Sequence, residues 1–292
     1  MSDGSSSRSP SEDRSASDPP RPASTVMLVR DGDNGVEVFM ERRHIKSDFV
    51  GGAYVFPGGR VDPDDAFPED LCRGLSPGQA NRRLGLERGG LAFYAAAIRE
   101  CFEEAGVLLA YDGTGELLDF TDPEREDHYR HLRDTLNDGE KSLLDITLEE
   151  GIRLATDRIH YWSHWITPEG QPRRYDTRFF IASAPSGQTA AHDDWELTDS
   201  SWVTPGDALE RARNREWMII FPTLKNLQQL DRMGTARRAL EWAGGDHPRP
   251  AMLPRVVDDR VVLPGDDGYE GALRDVSKVD PGVWFRQFSK EE

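Results

Sequence analysis

Arg99-Glu100-Cys101-Phe102-Glu103-Glu104-Ala105-Gly106-Val107 sets both the fold and the chemistry of this chain. Glu100, Glu103 and Glu104 are related by steps of three and four, so on a helix they share one face. Like charges at that spacing repel, and a hard divalent cation over the face would relieve them, since such ions favour oxygen ligands. An ordinary run of glutamates faces water, but the surroundings here are not ordinary. Leu91, Tyr94, Ala95, Ile98, Phe102 and Ala105 recur at helical steps and predict a core helix over Leu91 to Ala105. Arg99 stands where it can orient an acid, and Gly106 is a left-handed helix stop.

Outward from the helix, Phe56-Pro57-Gly58-Gly59-Arg60 is a turn signal after the apolar strand Ala53 to Phe56. Ser24 to Arg30 and Val36 to Arg43 read as strands around a turn at 31–35, and Ile45 to Gly52 as a loop. Residues 1–23 are rich in Ser, Pro, Asp and Arg and read as a disordered tail. Residues 60–90 read as an insertion with one short helix around Ser76 to Leu84. Asp122 to Asn137 and Ser142 to Glu150 predict a helical cap over 122–150. Val107 to Ala110, Ile159 to Ile166, Tyr175 to Ala184 and Leu197 to Val203 predict strands. Helices follow over Gly206 to Arg213, Pro222 to Met233 and Thr235 to Trp242, and then a strand pair or extended arm over Ala251 to Leu263. This order predicts an α/β fold with a mixed sheet flanked by helices.

The chain of 292 residues carries a net charge of -17 with 37% hydrophobic residues. That balance argues against a general nucleic-acid or anionic-membrane binder, which needs a basic surface. No apolar run approaches the ~18 residues of a bilayer span. The N-terminus shows no apolar signal core, so a cytoplasmic location is expected. Cys72 and Cys101 are expected as free thiols rather than a disulfide framework.

The acidic segment resembles the signature of the Nudix hydrolases: a glycine, five residues, a glutamate, seven residues, then R-E-U-x-E-E-x-G-U, with U a bulky apolar residue. Arg99, Glu100, Cys101, Glu103, Glu104, Gly106 and Val107 match its second half. Gly59 matches its first glycine, and Asp65 stands at its first glutamate. Residues 66–98 separate the halves where the common pattern has seven, a feature of the branch that includes the animal peroxisomal coenzyme A diphosphatases. Val55-Phe56-Pro57-Gly58-Gly59, Trp165-Ile166-Thr167-Pro168, Tyr175-Asp176-Thr177-Arg178-Phe179-Phe180 and Pro222-Thr223-Leu224 resemble that branch too.

The resemblance implies a Nudix-type α/β/α sandwich over 24–265, with an insertion inside the motif, extra helices and a C-terminal extension over 266–292. It implies a metal-dependent hydrolase using Mg²⁺ or Mn²⁺ to cleave a diphosphate bond in a nucleoside diphosphate linked to another group, coenzyme A or an acyl-coenzyme A first among them. ADP-ribose, NADH or a nucleotide sugar is the alternative. A non-catalytic ligand-sensing Nudix domain and an interaction protein with a solvated acidic helix are readings of other classes. Gly59, Arg99, Glu100, Glu103 and Glu104 are the expected catalytic residues. Glu100, Glu103 and Glu104 are the expected metal ligands, joined by Glu196 from His192-Asp193-Asp194-Trp195-Glu196. Arg42 and Arg43, in a basic stretch before the glycine loop, and Arg178 are expected to bind substrate. The aromatic set Tyr161, Trp162, Trp165, Tyr175, Phe179 and Phe180 reads mostly as core. The expected partner is a small nucleotide diphosphate, with no nucleic acid and no membrane; a homodimer is left open.

Overall fold

The structure, a computed structural model, describes residues 19–44, 51–191, 197–280 and 282–286, with the side chains of 197, 198, 285 and 286 left aside. The first strand, β1, runs Arg21–Gly32 and turns into β2, Gly35–Arg43. β1 thus starts ahead of the expected Ser24. Arg21 pairs with Tyr175 at the start of a parallel ladder, and backbone pairing needs no apolar side chain, so composition hides it. β3 (Ala53–Val55) and β4 (Gly58–Arg60) follow, then α1 (Pro77–Leu84) in the 60–90 insertion, and α2 (Gly90–Ala105). Ser76 and Gln79 form a capping box that starts α1. The Gly90 N–H donates to Asn81 Oδ1 at 2.7 Å, tying the insertion to the first turn of α2.

Next come β5 (Ala110–Tyr111), α3 (Pro123–Asn137), α4 (Leu143–Glu149), β6 (Arg153–Leu154), β7 (Ile159–Ile166), β8 (Tyr175–Ser183) and β9 (Leu197–Val203). The chain then forms α5 (Pro205–Arg213), β10 (Met218–Ile219), α6 (Phe221–Met233), α7 (Ala236–Gly244), β11 (Ala251–Met252), β12 (Arg255–Val257), β13 (Arg260–Val262) and α8 (Val283–Arg286). One expected strand is largely missing. Of Val107 to Ala110, only Ala110 joins a ladder, a two-stranded one with β6 outside the main sheet. The Gln188 side chain takes the place of a partner strand, accepting from the Leu108 N–H and donating to the Leu108 carbonyl.

The described strands form a nine-stranded sheet in the order β10-β3-β2-β1-β8-β7-β11, with β4 also on β1 and β9 on β2. It is mixed: β1–β8 and β7–β11 are parallel, whereas β1–β2 and β7–β8 are antiparallel. β1 and β2 are paired only from Val29 and Val38 to their shared turn. Beyond that they part, and the opening takes β3 on the β2 side and β4 on the β1 side. The turn between β3 and β4, Phe56-Pro57, sits in that opening, where the Pro57 carbonyl accepts from the Val26 N–H at 2.9 Å.

Side chains along the strands sort by parity. Val26, Leu28, Phe180 and Ala182 join the core under α2, whereas Met27, Val29, Phe179 and Ile181 join the core under α6 and α7. β7 breaks the alternation. Tyr161 pairs with Phe180 and Ser163 with Phe179, so Trp162 is an extra residue, a β-bulge. Tyr161 therefore lies in the first core, and both Trp162 and Trp165 in the second. The chain beyond 265 joins this second core through Val276 and Val283, 2% and 0% exposed. Cys72 and Cys101 are free and buried. Among the described residues no helix is long and apolar enough to cross a membrane.

Candidate active site

α2 has no solvated acidic face. Arg99, Glu100 and Glu104 are 9%, 8% and 7% exposed. The helix opens after Gly89 and stops at Gly106, which adopts φ +69° as its place in the sequence predicts. Burying three carboxylates and a guanidinium is costly unless each is paired, and the pairing is dense. Arg99 Nε and Nη2 donate to the two oxygens of Asp65 at 2.9 and 3.1 Å. Arg99 Nη1 donates to Glu100 Oε1 at 2.9 Å and to Glu103 Oε2 at 2.8 Å, and Nη2 also donates to the Arg60 carbonyl at 2.8 Å. Glu104 Oε2 accepts from the Gly58 N–H at 2.6 Å. Asp65, 1% exposed, is thus the anchor of Arg99 rather than a loop acid.

The two glycines are fixed by close approach. A Cβ on Gly58 would lie 2.6 Å from Thr25 Cα on β1, and one on Gly59 would lie 2.7 Å from Glu100 Cδ. Glu100 can swing aside only by giving up its bond to Arg99. Gly59→Ala is therefore expected to push the Glu100 carboxylate off Arg99 and cut kcat by ~10- to 100-fold, the usual cost of disturbing the support of a metal ligand, the role the sequence leads one to expect of Glu100. Steady-state kinetics beside a thermal unfolding curve checks this; unchanged kcat in a folded variant would refute it.

The electrostatics follow from burial. Glu100 is held well above the usual carboxylate range, chiefly by desolvation, against the pull of Arg99 and with the charges of Glu104 and Glu103 adding to the rise. Burial likewise pushes Glu103 up to about 7, again opposed by Arg99. The Cys101 thiol is pushed well up by burial and then by the Glu41 and Glu104 carboxylates, so it is no nucleophile. Glu41 itself is 0% exposed. It belongs to the stretch that the sequence marks only as basic. Parity along Phe39, Glu41 and Arg43, starting from a core phenylalanine, is the signal that turns it toward α2.

The far end of α2 is held from the cap. Arg133 Nε donates to the Glu103 carbonyl at 2.9 Å, and its Nη2 donates to the Glu104 carbonyl. A cation on the last carbonyls suits the negative end of a helix. No spacing in the sequence points to Arg133; the contact is purely tertiary.

These groups open into a cavity of about 1220 Å³, lined by Gly58, Gly59, Arg99 and the three glutamates, by Arg43 and Arg173, and by aromatic residues that include Trp165, Tyr175, Phe179 and Phe221. Of the three arginines expected at substrate, only Arg43 lines it. Arg42, one residue out of phase, points to the other face, its guanidinium 6.0 Å from the Tyr54 ring. Arg178 is out of phase with Tyr175, Thr177 and Phe179. It is 4% exposed, lies 4.9 Å over the Phe93 ring of α2 and donates to Asp176. Glu196 and the rest of 192–196 lie outside the described residues.

Asp176 also pairs with His164 on the neighbouring strand. Burial pushes its carboxyl up, but the His164 and Arg178 contacts outweigh that and hold it below its ordinary value. A lowered folded pKa gives stability that is present above the unfolded value, ~3.9, and is lost as pH falls through the folded one. The melting temperature of the native chain is therefore expected to fall more steeply between about pH 5 and pH 3 than that of Asp176→Asn. Parallel curves would count against the pairing.

Among the described residues no three His, Cys, Asp or Glu side chains stand ready as a metal-binding group, since the glutamates are turned to Arg99 and the Gly58 N–H. The donor chemistry nevertheless suits a hard divalent cation: carboxylates buried together at raised pKa beside a glycine backbone with no Cβ.

Known proteins resemble this chain over the region that carries the site. The family model described as the NUDT19 Nudix domain matches residues 88–230, which include α2, the cap and β7 to β9. The chain is 28% identical over 276 residues to the acyl-coenzyme A diphosphatase NUDT19 of Xenopus laevis, covering 80% of this chain and 71% of that protein. It is 26% identical over 274 residues to the human protein of the same name, covering 80% and 72%. A crystal structure of a NUDIX hydrolase from Alicyclobacillus acidocaldarius superposes with a TM-score of 0.60 at 25% identity, covering 76% of this chain and 96% of that one. With its mixed sheet and its Arg99-centred glutamates, the chain belongs to the Nudix hydrolase family, as a diphosphate-cleaving enzyme that resembles the acyl-coenzyme A diphosphatases.

Proposed function

We propose that this chain hydrolyses the diphosphate bond of coenzyme A or an acyl-coenzyme A, releasing 3′,5′-adenosine diphosphate and a phosphopantetheine, with Mg²⁺ or Mn²⁺ as cofactor. Nudix hydrolases generally use divalent ions, and Glu100, Glu103 and Glu104 are the residues proposed to hold them. The bound cation would supply charge neutralisation on the phosphoryl oxygens and a more acidic water. Arg99 keeps Glu100 and Glu103 in one orientation, and the Gly58 N–H keeps Glu104. One carboxylate near this cluster takes the proton of the attacking water. The water oxygen bonds to phosphorus as the bridging P–O bond breaks, and the leaving phosphate departs with that oxygen.

Arg43 and Arg173 line the same cavity and are proposed to take the phosphates, for which a guanidinium fork is suited. The observation that carries the substrate class is the cavity itself. At about 1220 Å³ it joins the glutamates to two arginines and an aromatic wall, and it exceeds the ~300–1,000 Å³ usual for a drug-sized ligand. A long, bipartite nucleotide uses that space, and the curated relatives above carry the corresponding name.

The test is product analysis with Mg²⁺ and then Mn²⁺ on coenzyme A, acetyl-coenzyme A, ADP-ribose and NADH. Cleavage of the coenzyme A compounds with the highest kcat/KM is expected. Preference for ADP-ribose or NADH would keep the chemistry and overturn the substrate.

A further inference from the structure

One wall of the cavity is used by neither the glutamates nor the arginines. Trp165, Phe221 and Trp284 line it and pack in series. The Trp165 and Phe221 centroids lie 5.9 Å apart with the planes at 85°, and those of Phe221 and Trp284 lie 6.2 Å apart at 64°. Trp165 reaches this wall because of the bulge at Trp162. Trp284 reaches it from α8, beyond the stretch that the family model matches and beyond the domain limit expected from the sequence.

The segment that carries Trp284 is seated. The Val276 N–H donates to the Glu169 carbonyl at 2.9 Å, and the Val283 N–H to the Asp280 carbonyl at 3.0 Å. Val283, the neighbour of Trp284, is 0% exposed, while Trp284 itself is only partly buried. The core side of this turn is filled, and its tryptophan is left to the cavity.

The character of the wall selects what rests on it. Ile220, Pro222 and Pro254 line the cavity beside the three aromatic rings, so the wall offers hydrocarbon. Rings tilted by 64° and 85° make a herringbone surface rather than a parallel slot for a flat base. A flexible aliphatic chain gains from such a surface in proportion to its length, about fourfold per fully buried methylene. A purine needs partners for its ring nitrogens, and a hydrocarbon wall gives it none.

We infer that Trp284, brought in by the C-terminal segment, makes this enzyme select substrates with an aliphatic acyl chain beyond the diphosphate. This rests on the coenzyme A reading above and adds which end of the substrate the C-terminal segment reads. The test is calorimetric titration of the full chain in EDTA, which separates binding from turnover, with coenzyme A, acetyl-coenzyme A and octanoyl-coenzyme A. Octanoyl-coenzyme A is expected to bind the native chain at least ~10-fold more tightly than coenzyme A, by the methylene gain above. In Trp284→Ala that ratio is expected to fall toward one, and in Trp284→Leu to be largely restored.

An equal ratio in native chain and Trp284→Ala overturns the inference, as does a native chain that binds octanoyl-coenzyme A no better than coenzyme A. The two readings separate cleanly. A chain-length gradient that depends on Trp284, in an enzyme that cleaves no coenzyme A compound, would keep the inference and discard the substrate. Turnover of coenzyme A with no such gradient would do the reverse.

Discussion

Glu104→Gln is expected to lower kcat on a diphosphate substrate by at least ~10³-fold while leaving the protein as stable as before, or more so. The two halves of that result have separate causes. Gln keeps the shape of Glu and keeps an oxygen to accept the Gly58 N–H, which Glu104 now accepts at 2.6 Å. What it loses is a negative charge buried beside that of Glu100, whose carboxyl is raised well above its usual range in part by Glu104. Removing one of two repelling buried charges relieves the metal-free protein. Catalysis has the opposite need, because the charge is what would hold a divalent cation. Such an ion contributes several kcal/mol of transition-state stabilisation, and each ~1.4 kcal/mol is tenfold in rate. The paired measurement is kcat by product analysis and the melting temperature with and without Mg²⁺. The native chain should melt higher with Mg²⁺ by mass action, and the variant should lose that rise. A variant within tenfold of native kcat would remove Glu104 from the metal site.

The contrast between native and variant depends on burial, and burial is what the sequence conveyed least directly. The helical steps of Leu91 through Ala105 and the stop at Gly106 were legible because they are local. So was the helical pair of the cap, whose N-caps the structure places at Asp122 and Ser142. Arg99 beside the glutamates was legible as an orienting group, but its tie to Asp65 was not, since it spans the insertion and exists only once α2 packs on the turn at 63–65. Alternation along a strand was available for Arg42 and Arg43 and assigns only Arg43 to the cavity; the clustering of basic residues overrode it. For Trp165 parity alone gives the wrong face, because the extra residue at Trp162 is visible only in the pairing with β8. The C-terminal turn was illegible for another reason. Trp284 contributes through a tertiary contact with Phe221, and nothing in its neighbours' spacing encodes that.

Arg99→Met is expected to cost about 3–5 kcal/mol of stability, the usual cost of breaking a buried ion pair by removing one partner. The reason is specific to this cluster. Arg99 donates to Asp65, to Glu100, to Glu103 and to the Arg60 carbonyl, and it is the cation held among all three acids. Met fills much of its volume and satisfies none of them. In a chain of this size the cost corresponds to a drop of ~10 °C in melting temperature. Arg99→Lys should fall between the two, since an ammonium keeps the charge but cannot bridge Asp65 with two parallel bonds. Asp65→Asn decides whether the loss is electrostatic. If Arg99 acts by neutralising Asp65, the Met substitution should cost about 0.5–3 kcal/mol less in the Asp65→Asn background than in the native one, the usual range for directly interacting pairs. If the costs simply add, Arg99 stabilises the helix through Glu100, Glu103 and the Arg60 carbonyl rather than through Asp65. Because Arg99 links Asp65 to Glu100 and Glu103, the glutamates proposed to hold the cation, the same double variant should not regain activity even where it regains stability.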